Sequence, residues 1–372
     1  MKTLFKLYCF SMLFPAFSVL YLLIGFNVQN RILWLPFGVL FFLNYKYGTC
    51  LKVDIPIFSL CFFFLTYIFV AVVNSWNVPM YIGYFLTFLL IFFTNFIVRD
   101  YKDLFLKFFK LFFVLNLCYV IYQLVCLNLG FDSLAMIHSN LPAQEAAGYT
   151  IPTFISKPFY RYTGLFNESS PFTFYLSISY CFFSVLNGCK TYKRIALLLL
   201  LFSGAKFAYL FLLIHAFFFM KSKIIKLSIL SFMLILVSLF LYYSEDLIRM
   251  TNGEVVSVFS RLDHFGESSS LDTAINYWGV GLQESSEGKV SLDFFSILTT
   301  GFGFCGLILI FTCIVSFYRL VNNGNKKFFC IPFFLGLTAS GSFLILQYSL
   351  LSYCLMYLHN SNLITNNKKN EI

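Results

Sequence analysis

Residues 80–128 read MYIGYFLTFLLIFFTNFIVRDYKDLFLKFFKLFFVLNLCYVIYQLVCLN, and this stretch decides the fold. Two apolar runs, 80–98 and 108–128, flank a charged break that holds Arg99, Lys102 and Lys107. A helix crosses the hydrocarbon layer of a bilayer with about 20 apolar residues, and each run supplies that length. Working outward, comparable runs recur at 7–26, 32–43 (short), 54–73, 171–187, 227–243 and 294–318. Two more are interrupted: 195–219 by Ser203-Gly204-Ala205-Lys206, and 329–358 by 338–342 and Gln347. Each is long for one straight helix and short for two spans, which suits a broken or re-entrant pair whose exposed backbone is covered by protein. The expected fold is all-α: a polytopic integral membrane protein with about 10–12 transmembrane helices in a single membrane domain. That domain covers residues 1–372, and the first run reads as an uncleaved signal anchor.

Composition agrees with that class. Hydrophobic residues make up 59% of the chain, charged residues 11%, and mean hydropathy is +0.81. A soluble domain carries about a quarter charged residues. The 52 Phe and 24 Tyr read as compositional bias, and no base-stacking platform is inferred from them.

The formal charge of +10 is explained by where it sits. Lys and Arg of short loops stay on the cytoplasmic side of a membrane. With the N-terminus inside, 19 of the 26 basic residues fall on that side, among them Lys46, Lys52, Arg99, Lys110, Lys190, Lys193, Arg194, Lys223 and Lys226. For Lys190 and Lys226 to share a side, the 195–219 run must go in and return, with its break at the outer tip. The excess charge is topological, so no nucleic-acid partner is expected. Both long loops then lie outside. Residues 129–170 carry two basic and three acidic side chains, and residues 244–293 carry three and nine. All eleven Cys fall in apolar spans or inner loops, which argues against a disulfide framework.

Motifs of soluble enzymes are missing: no phosphate-binding Gly-rich loop before Lys-Ser/Thr, no Gly-x-Ser-x-Gly, no His-Glu-x-x-His and no Cys-x-x-Cys. No cofactor and no metal is expected. Chemistry has to come from the outer loops or from polar residues that a bilayer makes costly. The most informative stretch is Arg161-Tyr162-Thr163-Gly164-Leu165-Phe166-Asn167-Glu168-Ser169-Ser170-Pro171. Pro171 suits the first turn of a helix and Ser169 or Ser170 its cap. A helix N-terminus beside Arg161 is an anion site. Glu168 has two readings, a base or a helix cap, and Arg161 likewise reads either as an anion ligand or as a side chain snorkelling to the interface. Lys206 is a cation inside a long apolar run, in need of a cavity, a counter-charge or an outer interface. The second loop offers Arg249, Arg261, Asp263, His264, Glu267 and Asp293, with Gly279-Val280-Gly281 and Gly301-Phe302-Gly303 near its end. Asp263, His264 and Glu267 read as solvated charge rather than metal ligands, and His138 and His215 as structural.

The order of these features resembles bacterial O-antigen polymerases and, more distantly, O-antigen ligases. In that family the first motif reads Arg-x-x-Gly-x-x-x-Glu-Pro-Ser; Arg161, Gly164, Glu168 and Ser170 match, and Ser169 stands where Pro is common. Lys206 stands slightly displaced from a family Ser-Arg, and Gly279, Gly281, Asp293 and Gly303 match the end of the second loop. The resemblance implies a multi-pass protein of the bacterial inner membrane whose two long loops, and active site, face the periplasm. It implies joining of oligosaccharide repeat units carried on undecaprenyl pyrophosphate, for lipopolysaccharide O-antigen synthesis, beside a flippase and a chain-length regulator. Catalytic roles would fall to Arg161, Glu168, Arg261 and His264, and substrate binding to Arg249, Lys206 and Asp293. The alternatives are an O-antigen ligase, with lipid A core as acceptor, and a lipid-linked oligosaccharide flippase or transporter. A transporter would show internal repeats and ionisable residues deep in several spans. Neither is seen in the sequence.

Overall fold

The computed structural model describes residues 55–75, 78–131, 162–166, 169–186, 188–203 and 206–219. It adds single residues or short pieces within 3–6, 39–40, 222–231, 302–318 and 328–332, and residues 279, 354 and 358. The run at 7–26, nearly all of the run at 227–243 and most of both long loops lie outside the described residues. Among those described, all regular structure is helical: α1 (Ile55–Val73), α2 (Val78–Asn128), α3 (Ser169–Val185), α4 (Lys190–Phe202) and α5 (Lys206–Phe219).

α1 and α2 are adjacent in sequence and in space. α1 ends where Ser75 takes a left-handed conformation (φ 57°) and its N–H reaches back to the Val72 carbonyl. α2 then runs for 51 residues with one departure from helical geometry, at Tyr101 (φ −122°, ψ 28°). The sequence suggests a polar loop at 99–107. The structure breaks the helix there at one residue, the kink at Tyr101, and is helical on both sides of it, because the segment has neither Gly nor Pro to end a helix outright.

The limb Tyr101–Asn128 spans 28 residues and is long and apolar enough to cross a membrane. At 1.5 Å per residue it rises about 42 Å, more than the ~30 Å of a hydrocarbon core. Phe105, Phe109, Phe112, Asn116, Val120, Gln123 and Leu127 recur at helical spacing on its buried face. Leu111, Val114, Leu115, Ile121, Leu124 and Val125 are exposed on the other. A helix apolar all round is suited to a protein core or to lipid, not to a water-facing surface. Gly130 stops it: with φ at 81°, its N–H bonds Leu127 O and the Phe131 N–H bonds Cys126 O at 2.8 Å, the paired bonds of a Schellman cap.

Rings fill the seam between α2 and α3. Phe109 meets Phe182 edge-on at 5.0 Å, Phe112 meets Tyr175 at 5.2 Å, and Phe113 meets Phe183 at 5.2 Å. Edge-to-face contact sets the positive rim of one ring against the negative face of the next. The Phe-rich composition therefore supplies an interlocking core.

α3 and α4 are joined by a short turn in which Gly188 has φ 79°. Lys190, Lys193 and Arg194, which the sequence suggests are loop residues, form the opening turns of α4. The break in the 195–219 run falls at Ser203, between α4 and α5. The Ser203 hydroxyl and N–H both bond Leu200 O, closing α4 locally. α5 then returns beside α4. The Lys193 ammonium, near the start of α4, lies over the Tyr180 ring at 5.5 Å, and His215, near the end of α5, meets the Tyr180 hydroxyl at 3.1 Å. Had α5 continued onward, residues 193 and 215 would stand about 33 Å apart. α4 and α5 therefore double back on one another as a hairpin.

Candidate functional site

The segment before α3 is built from a turn and two amides. Thr163, Gly164, Leu165 and Phe166 form a turn closed by the Phe166 N–H on Thr163 O at 3.1 Å. Gly164 has φ 56°. A Cβ placed on it would come within 2.6 Å of the Phe172 ring and 2.7 Å of Asn116 Oδ1. Glycine is required twice over, by backbone conformation and by space.

Three successive backbone donors of this turn point into α2. The N–H groups of Thr163 and Gly164 donate to Gln123 Oε1 at 3.3 and 3.1 Å, and that of Leu165 donates to Asn116 Oδ1 at 3.0 Å. Gln123 Nε2 donates to Thr163 Oγ1 at 2.7 Å, and Asn116 Nδ2 donates to Phe112 O at 3.0 Å. Asn116, Gln123 and Thr163 are fully or almost fully buried. Successive N–H groups of a turn make a concavity suited to an anion. Here two amide oxygens occupy it, so an anion near this turn has to be met by side chains.

Beyond the turn, α3 begins at Ser169. The sequence suggests Ser169 or Ser170 as the cap; both lie inside the helix, and Pro171 is its third residue. Its missing N–H removes nothing there, because the first helical N–H groups have no intrahelical acceptor. Arg161 and Glu168, which flank the turn and the helix start, lie outside the described residues, as do Arg249, Arg261, His264 and Asp293. Lys206 opens α5, with its side chain outside the described set. Gly279 and Gly303, from the end of the second loop, both adopt positive φ (79° and 57°). Next to Gly303, the Phe302 carbonyl accepts a 2.8 Å hydrogen bond from Tyr67, and its ring packs against Tyr67 and Tyr81.

At the other end of this limb of α2, Lys110 Nζ lies 5.3 Å from the centre of the Tyr192 ring, so Lys110 and the basic start of α4 share one end of the bundle. Gln123 is 13 residues further along, about 20 Å away. Near the basic end, His215 stacks on Phe219 at 4.4 Å and on Phe211 at 5.7 Å. Its Nδ1 is buried without a hydrogen-bond partner. Among the described residues no three His, Cys, Asp or Glu side chains converge as metal ligands, and the seven described cysteines are free thiols.

Asn116, Gln123 and Thr163 were not singled out by sequence reasoning, which weighed ionisable residues. The available signal was two amides seven residues apart in a stretch, 111–127, without a single charge. Comparison with family models, curated proteins and solved structures gives no match to this chain.

Proposed function

We propose that this chain is a polytopic inner-membrane glycosyltransferase that joins lipid-linked oligosaccharide repeat units at the periplasmic face, as O-antigen polymerases do. The observation that carries the reading is the turn at Gly164. The Arg-x-x-Gly-x-x-x-Glu stretch contains a glycine that no other residue can replace without strain, and its turn is held by buried side chains beside the start of an apolar helix. A loop that only linked two spans would have no need of this. The apolar exposed face of the Tyr101–Asn128 helix and the shared end of Lys110 and α4 support a membrane setting with basic residues on one side.

In this reading the sugar hydroxyl of the incoming unit attacks the anomeric carbon of the lipid-linked chain. Its proton passes to Glu168, with His264 as the second candidate. The bond to the pyrophosphate breaks, and undecaprenyl pyrophosphate leaves with the electron pair. Fixed cations at the leaving group stabilise that transition state, a role for Arg161 and Arg261. Arg249, Lys206 and Asp293 are assigned to holding substrate. The activated donor carries the energy of the reaction, so no nucleotide is required.

A lipopolysaccharide gel of cells lacking the gene tests this, with complementation by wild type, Arg161→Ala or Glu168→Ala and expression checked by blot. Core carrying a single repeat unit, with the ladder restored by wild type alone, is the expected result. Bare core in the deleted strain would favour ligase or flippase, and an unchanged ladder would sink the assignment.

A further inference from the structure

Asn116 and Gln123 stand two helical turns apart on one face of α2, inside a run with no charged residue. In a membrane-spanning helix an apolar side chain at either position would be cheaper, because a buried amide has to have its donors and acceptors satisfied. Apart from one bond from Asn116 to its own helix, every bond described for the two amides goes to the Thr163–Phe166 turn.

A turn of four residues keeps its two ends within about 7 Å. Arg161 lies two residues before this turn and Glu168 two residues after it, so both hang on short tethers from one fixed point. We propose that Asn116 and Gln123 are positioning residues: side-chain amides of α2 that fix the turn and, through it, the places of Arg161 and Glu168 at the reacting pyrophosphate sugar. The proposal rests on the polymerase reading above. Without the amides, three backbone N–H groups lose these acceptors, and what remains described for the turn is its closing bond and the ring of Phe166 against Phe112, Phe172 and Tyr175, contacts that do not orient its backbone. Thr163 takes part as the bridge, receiving from Gln123 Nε2 and donating to the Gly164 carbonyl at 3.3 Å.

The test uses the full chain purified into phospholipid nanodiscs, supplied with lipid-linked repeat unit extracted from cells lacking the gene. The readout is the rate of two-repeat product. Gln123→Met keeps the length of the side chain and removes its hydrogen bonds. A displacement of about 1 Å at reacting groups costs about 100-fold in rate, so kcat is expected to fall about 100-fold while KM stays within about threefold. Thr163→Val removes only the hydroxyl and is expected to lower kcat about three- to tenfold, a partial loss of the same network. Both are compared at equal amounts of monodisperse protein. A wild type that makes no product overturns the polymerase reading, and the positioning role with it, before any variant is compared. An active wild type with both variants within twofold of it overturns the positioning role alone, as does a loss that only tracks the amount of folded protein. Should Gln123→Met not fold, the outcome for Thr163→Val decides in the same way.

Discussion

Gln123 and His215 are both polar side chains on apolar helices, and their surroundings use them differently. Gln123 makes three hydrogen bonds to one turn. His215 makes one, to the Tyr180 hydroxyl, and is otherwise held by its flat faces against Phe211 and Phe219, with Nδ1 left without a partner. At the amide end, donors and acceptors decide what fits. At the basic end, shape decides. A bundle with one end fixed by directional bonds and the other by adaptable ring contacts has its precision where the motif lies.

The sharpest way to break the comparison is Gly164→Ala. Left-handed backbone with a Cβ costs about 1–2 kcal/mol, and overpacking against Phe172 adds about 1–3 kcal/mol. Thermal unfolding of the purified protein in detergent is expected to show a loss of about 2–5 kcal/mol, and a variant as stable as wild type would mean the turn is not packed as described. Next comes Asn116→Leu, which leaves the Leu165 N–H without its acceptor. A buried donor deprived of its partner costs about 1–3 kcal/mol, read in the same assay. Gly130→Ala separates conformation from space, because nothing lies within 4 Å of a Cβ there. It is expected to cost only the backbone part, about 1–2 kcal/mol, and a loss equal to that of Gly164→Ala would refute the distinction between the two glycines. The smallest effect belongs to His215→Phe, which keeps the ring and removes both nitrogens. A change under about 1 kcal/mol is expected, since one hydrogen bond is lost and one unpartnered buried nitrogen goes with it. A drop comparable to that of Asn116→Leu would show that the two ends are held alike.

Much of the fold was legible because apolar length is a direct requirement of helices in this setting. The runs at 54–73 and 171–187 correspond to Ile55–Val73 and Ser169–Val185, and the interruption at Ser203 separates α4 from α5. The charges at 99–107 mark the kink at Tyr101, though not a loop of that length, and those at 190–194 misled: they open a helix, since polarity does not by itself end one. At the site, Gly164 was legible as part of a motif. The amides that hold it were not, because Asn116 and Gln123 meet Leu165 and Thr163 across 49 and 40 residues of chain, and a pattern along the sequence says nothing about such pairings. Neutral amides also carry no charge to make them stand out, although burial makes their hydrogen bonds as exacting as those of many ionised groups.

The pair α4 and α5 has a consequence for the thickness of the protein. With 13 and 14 residues they rise about 20 Å each, two-thirds of a hydrocarbon layer of about 30 Å. Ser203, which closes α4 at the head of the pair, is fully buried in protein. The two helices lie side by side as a hairpin, so in a bilayer that corner of the molecule would reach only part of the way across, where the Tyr101–Asn128 helix is long enough to cross it. In the membrane setting proposed above, a change in lipid chain length would bear directly on the long helix, which must tilt to match it, and far less on a hairpin too short to span.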